Sequence, residues 1–248
     1  MPRQARKKSQ NNIYHIMFRG INRQQIFEDA EDNAMFLEVV NEYKSVCNYK
    51  LFAWCIMGNH VHLLMRFDGE PMQLAFKRIC GKFVYWYNAK YRRFGHLFQD
   101  RFKSEPIQDD NYLIACVRYI HQNPVKAKIS TLQDYLYSSF SEYMSDESPV
   151  YTDVEYVLSM MTKSQLKQLC EQPCNQTFVD FDDKVTAISD EQAKAIIFKI
   201  SGCANASDFQ RLSSQQKQQY FALLKQNNLS IRQISRLTGE SYYLIQKA

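Results

Sequence analysis

Two histidines stand one residue apart in the stretch "MGNHVHLLMRF" at residues 57–67. Because a β-strand points residues i and i+2 to the same face, His60 and His62 of such a strand would converge on one spot. Two convergent imidazoles are half of a metal site, although a histidine pair in a buried strand also occurs as ordinary packing. The pair alone does not separate these two alternatives.

A tyrosine and an asparagine stand four residues apart in "DDNYLIACVRYIHQN", a predicted helix at 109–123. Tyr119 and Asn123 share a helix face, so a phenol and an amide oxygen can reach the same point. Beside a divalent cation, which acts as a Lewis acid on a phosphodiester, a tyrosine is a candidate nucleophile. Tyr112 lies seven residues earlier on that face, and spacing does not separate the two. With 16 tyrosines in the chain, core packing is the other alternative.

The pattern of strands and helices predicts how these residues are positioned. Extended segments are predicted at 12–20, 50–57, 61–67 and 95–107, and helices at 29–47, 71–91 and 109–123. The second and third strands form a hairpin around Gly58-Asn59, and the last helix is expected to end before Pro124. The predicted fold is α+β, a ferredoxin-like antiparallel sheet with helices on one face.

The second half of the chain is predicted to be helical. The polar stretch "MSDESP" indicates a linker at 144–152, which would separate a domain at 1–143 from an all-α region at 153–248. Ile231, Ile234 and Leu237, followed by a Thr-Gly break and a second short helix, predict a helix-turn-helix at about 230–247. A helical packing module without DNA contact is the alternative.

Charge is unevenly distributed. Residues 1–130 hold 20 Lys and Arg against 12 Asp and Glu, whereas residues 131–248 hold 11 against 14. A basic first half favours a polyanionic partner, although an ordinary solvated surface is equally compatible. No apolar run reaches the roughly 18 residues of a membrane span, and no signal peptide is evident. The seven cysteines lack a C-x-x-C pair and indicate free thiols, so the expected location is the cytoplasm.

Basic residues close to aromatic ones are candidates for phosphate and base contacts. The candidate DNA-binding residues are Arg3, Arg6, Lys7, Lys8, Lys77, Arg78, Lys82, Arg92, Arg93, Arg232, Arg236 and Lys247. For the helix at 71–91, the alternative is an amphipathic helix whose aromatic side chains face the core. For the N-terminal arm, the alternative is disorder.

Four segments resemble those of the single-tyrosine HUH transposases, and in particular the REP-associated tyrosine transposases: "IYHIMFRGINRQQIF", "GNHVHLL", "GHLFQDRF" and "VRYIHQNPVKA". The resemblance spans about residues 1–143. It implies a ferredoxin-like catalytic domain with Mg²⁺ or Mn²⁺ bound by His60, His62 and Asn123. It also implies that Tyr119, rather than Tyr112, attacks single-stranded DNA near hairpins, which leaves a 5′-phosphotyrosine link and a free 3′-OH.

The resemblance leaves some features open. Tyr137 stands where many relatives have Trp, and the region after about 150 is an addition of unsettled role. Two alternatives to the transposase remain: a DNA-binding regulator that does not cleave, and a metal-dependent phosphodiesterase that uses water. The expected partner is single-stranded or hairpin DNA, without a membrane, and a homodimer is a further option.

Overall fold

The protein is described by a computed structural model that covers residues 7–21, 24–99, 101–173, 176–180 and 190–247. The chain divides into two compact units, Met1–Phe181 and Asp182–Ala248. Among the described residues, none of the helices combines the length and apolarity that a membrane crossing requires. Among the described residues, two apolar clusters lie in the first unit and one lies in the second.

The first unit is built on a four-stranded antiparallel sheet in the order β2-β3-β1-β4. Its strands are β1 (Ile13–Arg19), β2 (Tyr49–Met57), β3 (His60–Phe67) and β4 (Lys103–Ile107). The hairpin of β2 and β3 turns at Gly58 and Asn59, as predicted. One helix follows β1 and another follows β3, so the order of elements and of strands is ferredoxin-like. The predicted fold class is therefore confirmed.

Helices cover both faces of this sheet rather than one. The helices are α1 (Ala30–Cys47), α2 (Met72–Lys90) and α3 (Asp110–Lys126). Ile16 and its neighbours on one face of β1 pack in a cluster with α1 and α2, whereas Ile13 and Leu64 pack on the other face with α3. The prediction of helices on one face was wrong because β1 is buried along its whole length, and a strand that is apolar on both faces needs a layer on each.

Helix α3 continues through Pro124, although the sequence predicted its end before that residue. Proline has no N–H, so the carbonyl of Ile120 loses its usual partner four residues later. The side-chain amide of Asn123 donates to that carbonyl at 3.3 Å and to the Tyr119 carbonyl at 2.9 Å. The residue before the proline thus supplies the missing donor, and the helix extends to Lys126.

The segment predicted as a linker, 144–152, is fixed to the first unit. Thr152 accepts a hydrogen bond from the indole of Trp54 at 3.0 Å, and Asp153 pairs with Lys44 at 2.7 Å. Beyond it, α5 (Glu155–Leu158) and α6 (Lys163–Glu171), with the preceding α4 (Phe140–Met144), contribute to the cluster around α3. The boundary between units therefore lies at 181/182, because the apolar residues near 154–170 complete the core under the sheet.

The described part of the second unit is all-helical. Its helices are α7 (Asp190–Ser201), α8 (Ala206–Gln210), α9 (Ser214–Gln226), α10 (Ile231–Thr238) and α11 (Tyr242–Lys247). Ser230 caps α10, and Gly239 ends it in the left-handed region at φ 71°, a conformation that glycine adopts without steric cost. Two short helices joined by this turn occupy the segment for which the sequence predicts a helix-turn-helix.

Candidate active site

The two histidines of β3 lie together at the start of that strand. Their ring centroids are 5.0 Å apart, and both face the side of the sheet that α3 covers. His60 is half-buried and its Nδ1 lies 2.6 Å from the side-chain oxygen of Asn59, whereas His62 is completely buried. His60 therefore lies at the edge of the fold, whereas His62 lies inside it.

His62 is a neutral imidazole with one nitrogen left over. Its Nδ1 lies 3.0 Å from Nε2 of His15 in the adjacent strand, while its buried Nε2 has no hydrogen-bond partner among the described residues. Burial, reinforced by the charges of His60, His15 and Lys126, holds the pKa of His62 well below its ordinary value. A buried, uncharged nitrogen that no protein group satisfies is suited to a metal ion.

Tyr119 of α3 reaches the same place from the opposite side. Its ring centroid lies 5.7 Å from that of His62 and 5.7 Å from that of His15. The side chain is only 6% exposed, because the ring of Phe178 packs on it at 4.8 Å and its hydroxyl donates to Asp180. Burial, together with the bond to the Asp180 carboxylate, raises the pKa of the Tyr119 phenol. The short segment 176–180 thus covers the phenol.

Tyr112, one heptad earlier on α3, makes different contacts. Its hydroxyl donates to Glu105 of β4 at 2.6 Å, and its ring packs on Phe178 with centroids 5.0 Å apart. Burial and this bond to Glu105 raise the pKa of the Tyr112 phenol. The ring contacts of the two tyrosines thus differ, since Tyr119 is the one whose ring packs against His62.

Asn123 follows Tyr119 by one helical turn and is buried. Its amide N–H groups are used within α3, so a metal-binding role would fall to its Oδ1 atom. Among the described residues, no group of three or more His, Cys, Asp and Glu side chains is arranged to hold a metal ion. A site made of two histidines and one asparagine would contain only two side chains of these four types.

Several contacts of this site carried no signal in the sequence interpretation. His15 and Glu105 pair across β1 and β4, and His15 shares the face of His62. Because β1 is apolar on both faces, its alternation did not assign His15 to either face. Phe178 and Asp180 come from beyond α6, about 60 positions after Tyr119, and no periodicity marks them. Only the folded chain brings this segment onto α3.

The candidate DNA-binding residues of α2 are largely occupied by acidic neighbours. Arg78 pairs with Glu70 at 2.9 Å and Lys82 with Glu42, while Arg93 donates to the backbone oxygen of His96 at 3.1 Å. Lys77 and Arg92 make no ion pair with the described residues.

The aromatic residues of this helix are divided between core and surface. Phe83 and Tyr87 are buried in the core, as the amphipathic alternative expects, whereas Tyr85 is 80% exposed. In the loop that follows, Phe94 is 97% exposed. These two exposed rings are therefore available for stacking on bases.

The remaining candidates lie at the two ends of the chain. Arg3 and Arg6 are outside the described residues, and Lys7 and Lys8 are exposed. In the second unit, Arg236 pairs with Asp190 at 2.5 Å, the ammonium of Lys247 lies 4.3 Å above the Tyr243 ring, and Arg232 is exposed. These basic groups belong to surfaces that are remote in sequence from the histidine site.

Comparison with known proteins agrees with the geometry. The family model described as "Transposase IS200 like" matches residues 8–123. A REP-associated tyrosine transposase of Haemophilus influenzae is 34% identical over 119 residues, which cover 42% of this chain and 67% of that protein. A solved structure of a REP-associated tyrosine transposase bound to a REP hairpin shares the fold at 15% identity with a TM-score of 0.52, and the match covers 73% of this chain and all of that one. The chain therefore belongs to the IS200-like transposases, in the branch of the REP-associated tyrosine transposases.

Proposed function

We propose that this protein cleaves and rejoins single-stranded DNA near hairpins, with Tyr119 as the nucleophile. The observation that carries the proposal is the contact between Tyr119 and His62, whose buried Nε2 atom has no hydrogen-bond partner in the described part of the chain. A nucleophile and an unsatisfied metal-binding nitrogen at one point are the parts that phosphodiester transfer requires. The relative bound to a REP hairpin supports DNA of this kind as the substrate.

The residues fit a divalent cation. His60, His62 and the Oδ1 atom of Asn123 would hold Mg²⁺ or Mn²⁺, and the three neutral ligands leave the charge of the ion intact. When bound, the ion supplies Lewis-acid polarisation of a phosphodiester oxygen. The low pKa of His62 serves this role, since an imidazole that stays neutral keeps a lone pair for the metal.

In the proposed reaction, the phenol oxygen of Tyr119 forms a bond to phosphorus while the bond from phosphorus to the 3′-oxygen breaks. The products are a 5′-phosphotyrosine and a strand that ends in a 3′-OH, which takes up a proton. Attack by that hydroxyl, or by the 3′-OH of another strand, reverses the step and regenerates Tyr119. The phenol gives up its proton in this step, and in the arrangement described here its hydroxyl donates a hydrogen bond to the Asp180 carboxylate.

A strand can reach Tyr119 only if the segment 176–180 moves. The phenol is nearly inaccessible under Phe178, and the backbone N–H of Val179 is bound to Glu105 at 2.8 Å. The arrangement described here is therefore a closed form of the site. Phe178 packs on the rings of Tyr112 and Tyr119, so displacement of this segment would uncover both phenols.

The test is a covalent adduct. With Mn²⁺ and a single strand that carries a hairpin, the wild-type protein should form a protein–DNA species that survives denaturing gels. Tyr119→Phe keeps the ring and its packing but lacks the oxygen, so it should bind DNA and form no adduct. Tyr112→Phe is the matched control on the same helix. It loses one hydrogen bond of about 1 kcal/mol, so its rate should fall by no more than roughly fivefold.

Cleavage by Tyr119→Phe at the wild-type rate would favour attack by water. Binding without any cleavage by the wild type, over a range of hairpins and with either metal, would favour a regulator that has kept the fold. Loss of the adduct in Tyr112→Phe alone would assign the nucleophile to the other tyrosine.

A further inference from the structure

We propose that His15, backed by Glu105, is a positioning residue that fixes the tautomer of His62 in which Nε2 is unprotonated. The inference rests on the metal site of the proposed function and names how the fold prepares it. His15 lies in β1, on the same face of the sheet as His62, and both side chains are completely buried. Their rings lie nearly parallel, with centroids 5.3 Å apart and His15 Nε2 at 3.0 Å from His62 Nδ1.

Two proton arrangements are compatible with this contact. A neutral imidazole has one N–H and one lone pair, so one histidine donates and the other accepts. If His62 donates from Nδ1, its Nε2 carries a lone pair and His15 carries its own proton on Nδ1. If His15 donates instead, His62 carries its proton on Nε2, which has no acceptor among the described residues. Only the first arrangement leaves His62 able to bind a cation.

Glu105 selects the first arrangement. Its Oε2 atom lies 3.8 Å from His15 Nδ1, so the carboxylate attracts a proton on that nitrogen and repels a lone pair there. Each arrangement leaves one buried N–H without a hydrogen-bond partner among the described residues, on His15 Nδ1 in the first and on His62 Nε2 in the second. The N–H of His15 faces the carboxylate, whereas the second arrangement would place the lone pair of His15 against that negative charge. The position of Glu105 therefore favours a bare Nε2 on His62.

Glu105 is itself fixed in position. Its Oε1 atom accepts from the Tyr112 hydroxyl at 2.6 Å, and its Oε2 atom accepts from the Val179 backbone N–H at 2.8 Å. Across the sheet, Glu105 is the register partner of His15. The hydrogen bond from Tyr112 therefore orients the carboxylate that faces His15.

The same logic explains metal-binding histidines in general, whose second nitrogen is held by a carboxylate or carbonyl. Here an imidazole stands between the carboxylate and the ligand. The first consequence is that the correct tautomer exists before any ion binds. The second consequence is that removal of the acceptor at position 15 should weaken metal binding while the ligands remain in place.

The test measures the position of the ring protons and the binding of metal, both separately from catalysis. In the full-length, metal-free protein labelled with ¹⁵N at histidine, two-bond nitrogen–proton correlation spectra show which ring nitrogen carries the proton. Above the ordinary histidine pKa, His62 should be protonated on Nδ1 and bare on Nε2, and His15 should be protonated on Nδ1. His121 is an internal reference, since its Nε2 lies 2.8 Å from the Ser139 hydroxyl, outside this chain of contacts.

Two substitutions separate hydrogen bonding from packing. His15→Phe keeps a ring against Tyr119 and Phe178 but offers no acceptor, so His62 should become a mixture of tautomers. Its affinity for Mn²⁺ alone, measured by the EPR signal of the free ion, should fall by about tenfold to hundredfold. His15→Gln restores an acceptor oxygen and should keep His62 in the wild-type tautomer with affinity near that of the wild type. Glu105→Gln removes the charge and keeps the shape of the side chain, so its affinity for Mn²⁺ should lie between those of His15→Phe and His15→Gln.

The outcomes distinguish this inference from the proposed function. A wild-type His62 that carries its proton on Nε2 overturns the inference, as does an unchanged tautomer and Mn²⁺ affinity in His15→Phe. Wild-type adduct formation in the same preparations would then leave the proposed function standing. Absence of Mn²⁺ binding by the wild type overturns the metal site and the role of His15 together. If the tautomer and affinities follow expectation but Tyr119→Phe still cleaves, the nucleophile is wrong and the inference stands.

Discussion

Two histidines of the first unit are equally buried and differ in how their nitrogens are satisfied. His121 on α3 lies with Nε2 at 2.8 Å from the Ser139 hydroxyl and Nδ1 at 3.8 Å from the Cys170 sulfur, whereas the Nε2 atom of His62 has no hydrogen-bond partner among the described residues. Burial lowers the pKa of both histidines, to about 3 for His121. A low pKa is therefore common to both, and the unsatisfied atom is what distinguishes a candidate site from a packed core residue.

The largest expected effect separates these two histidines by mutation. His62→Ala and His60→Ala should each abolish Mn²⁺-dependent adduct formation, since each removes a proposed ligand. His60 is half-buried, so its variant should keep the fold nearly intact, whereas His62 is completely buried and its variant should also lose stability through the cavity it leaves. His121→Ala should keep the adduct but destabilise the protein by about 3 kcal/mol, because it leaves a cavity and an unpaired hydroxyl. Gel assays of the adduct and thermal unfolding measure the two effects.

Full adduct formation by the double variant His60→Ala/His62→Ala would exclude a metal-binding role for these histidines in the reaction. If His62→Ala were as unstable as His121→Ala and equally active, the contrast between the two histidines would have no functional meaning.

Asn123 should show an intermediate effect with two separable parts. Asn123→Ala removes both the amide oxygen and the donor to Ile120, so cleavage should slow by about tenfold at limiting Mn²⁺. Asn123→Asp keeps an oxygen but loses the donor, so it should cleave near the wild-type rate and unfold more easily, by about 1 to 2 kcal/mol. Rates over a series of Mn²⁺ concentrations and melting curves test this. Wild-type rates for Asn123→Ala at every concentration would exclude a ligand role.

Asp180 should shift the pH dependence of the reaction. Its carboxylate is one of the causes that raise the pKa of Tyr119, and a raised pKa means less phenolate at a given pH. Asp180→Asn removes this charge, so the pKa falls and the rise of the adduct rate should move to lower pH. Rates of adduct formation over a pH series, with DNA well below saturation so that the free enzyme sets the pH dependence, measure the shift. A large loss of rate at every pH would instead identify Asp180 as the group that takes the proton.

The smallest effect is expected in the second unit, whose role in DNA binding is a proposal from its α10–α11 pair and exposed charges. The double variant Arg232→Gln/Lys247→Gln should bind hairpin DNA more weakly without slowing cleavage at saturation. The slope of log affinity against log salt concentration should decrease by the amount expected for about two phosphate contacts. Arg236→Gln is the matched control, because Asp190 already holds that guanidinium. Binding isotherms at several salt concentrations test this, and an unchanged salt slope in the double variant would assign the unit another role.

Local patterns predicted most of the framework correctly. The parity of β3 predicts that His60 and His62 share a face, and helical spacing predicts that Tyr119 and Asn123 share one. The alternation in β1 also indicates burial on both faces, but the number of covering layers follows only from where α3 packs. The end of α3 was mispredicted for a related reason, since a proline breaks a helix unless a neighbour such as Asn123 replaces the lost donor.

The amino-acid sequence by itself determined the strands, the helices and the residue types that can bind a metal or attack a phosphodiester. These follow from periodicities of two and 3.6 residues and from side-chain chemistry, which act over a few positions. The tertiary structure decided that Tyr119 rather than Tyr112 meets His62, that Glu105 stands behind His15, and that Phe178 and Asp180 cover the phenol. It also placed the boundary between units at 181/182 rather than at the predicted linker of 144–152. Such contacts join residues far apart in the chain, and they form because buried polar atoms and apolar faces must find partners wherever the chain can supply them.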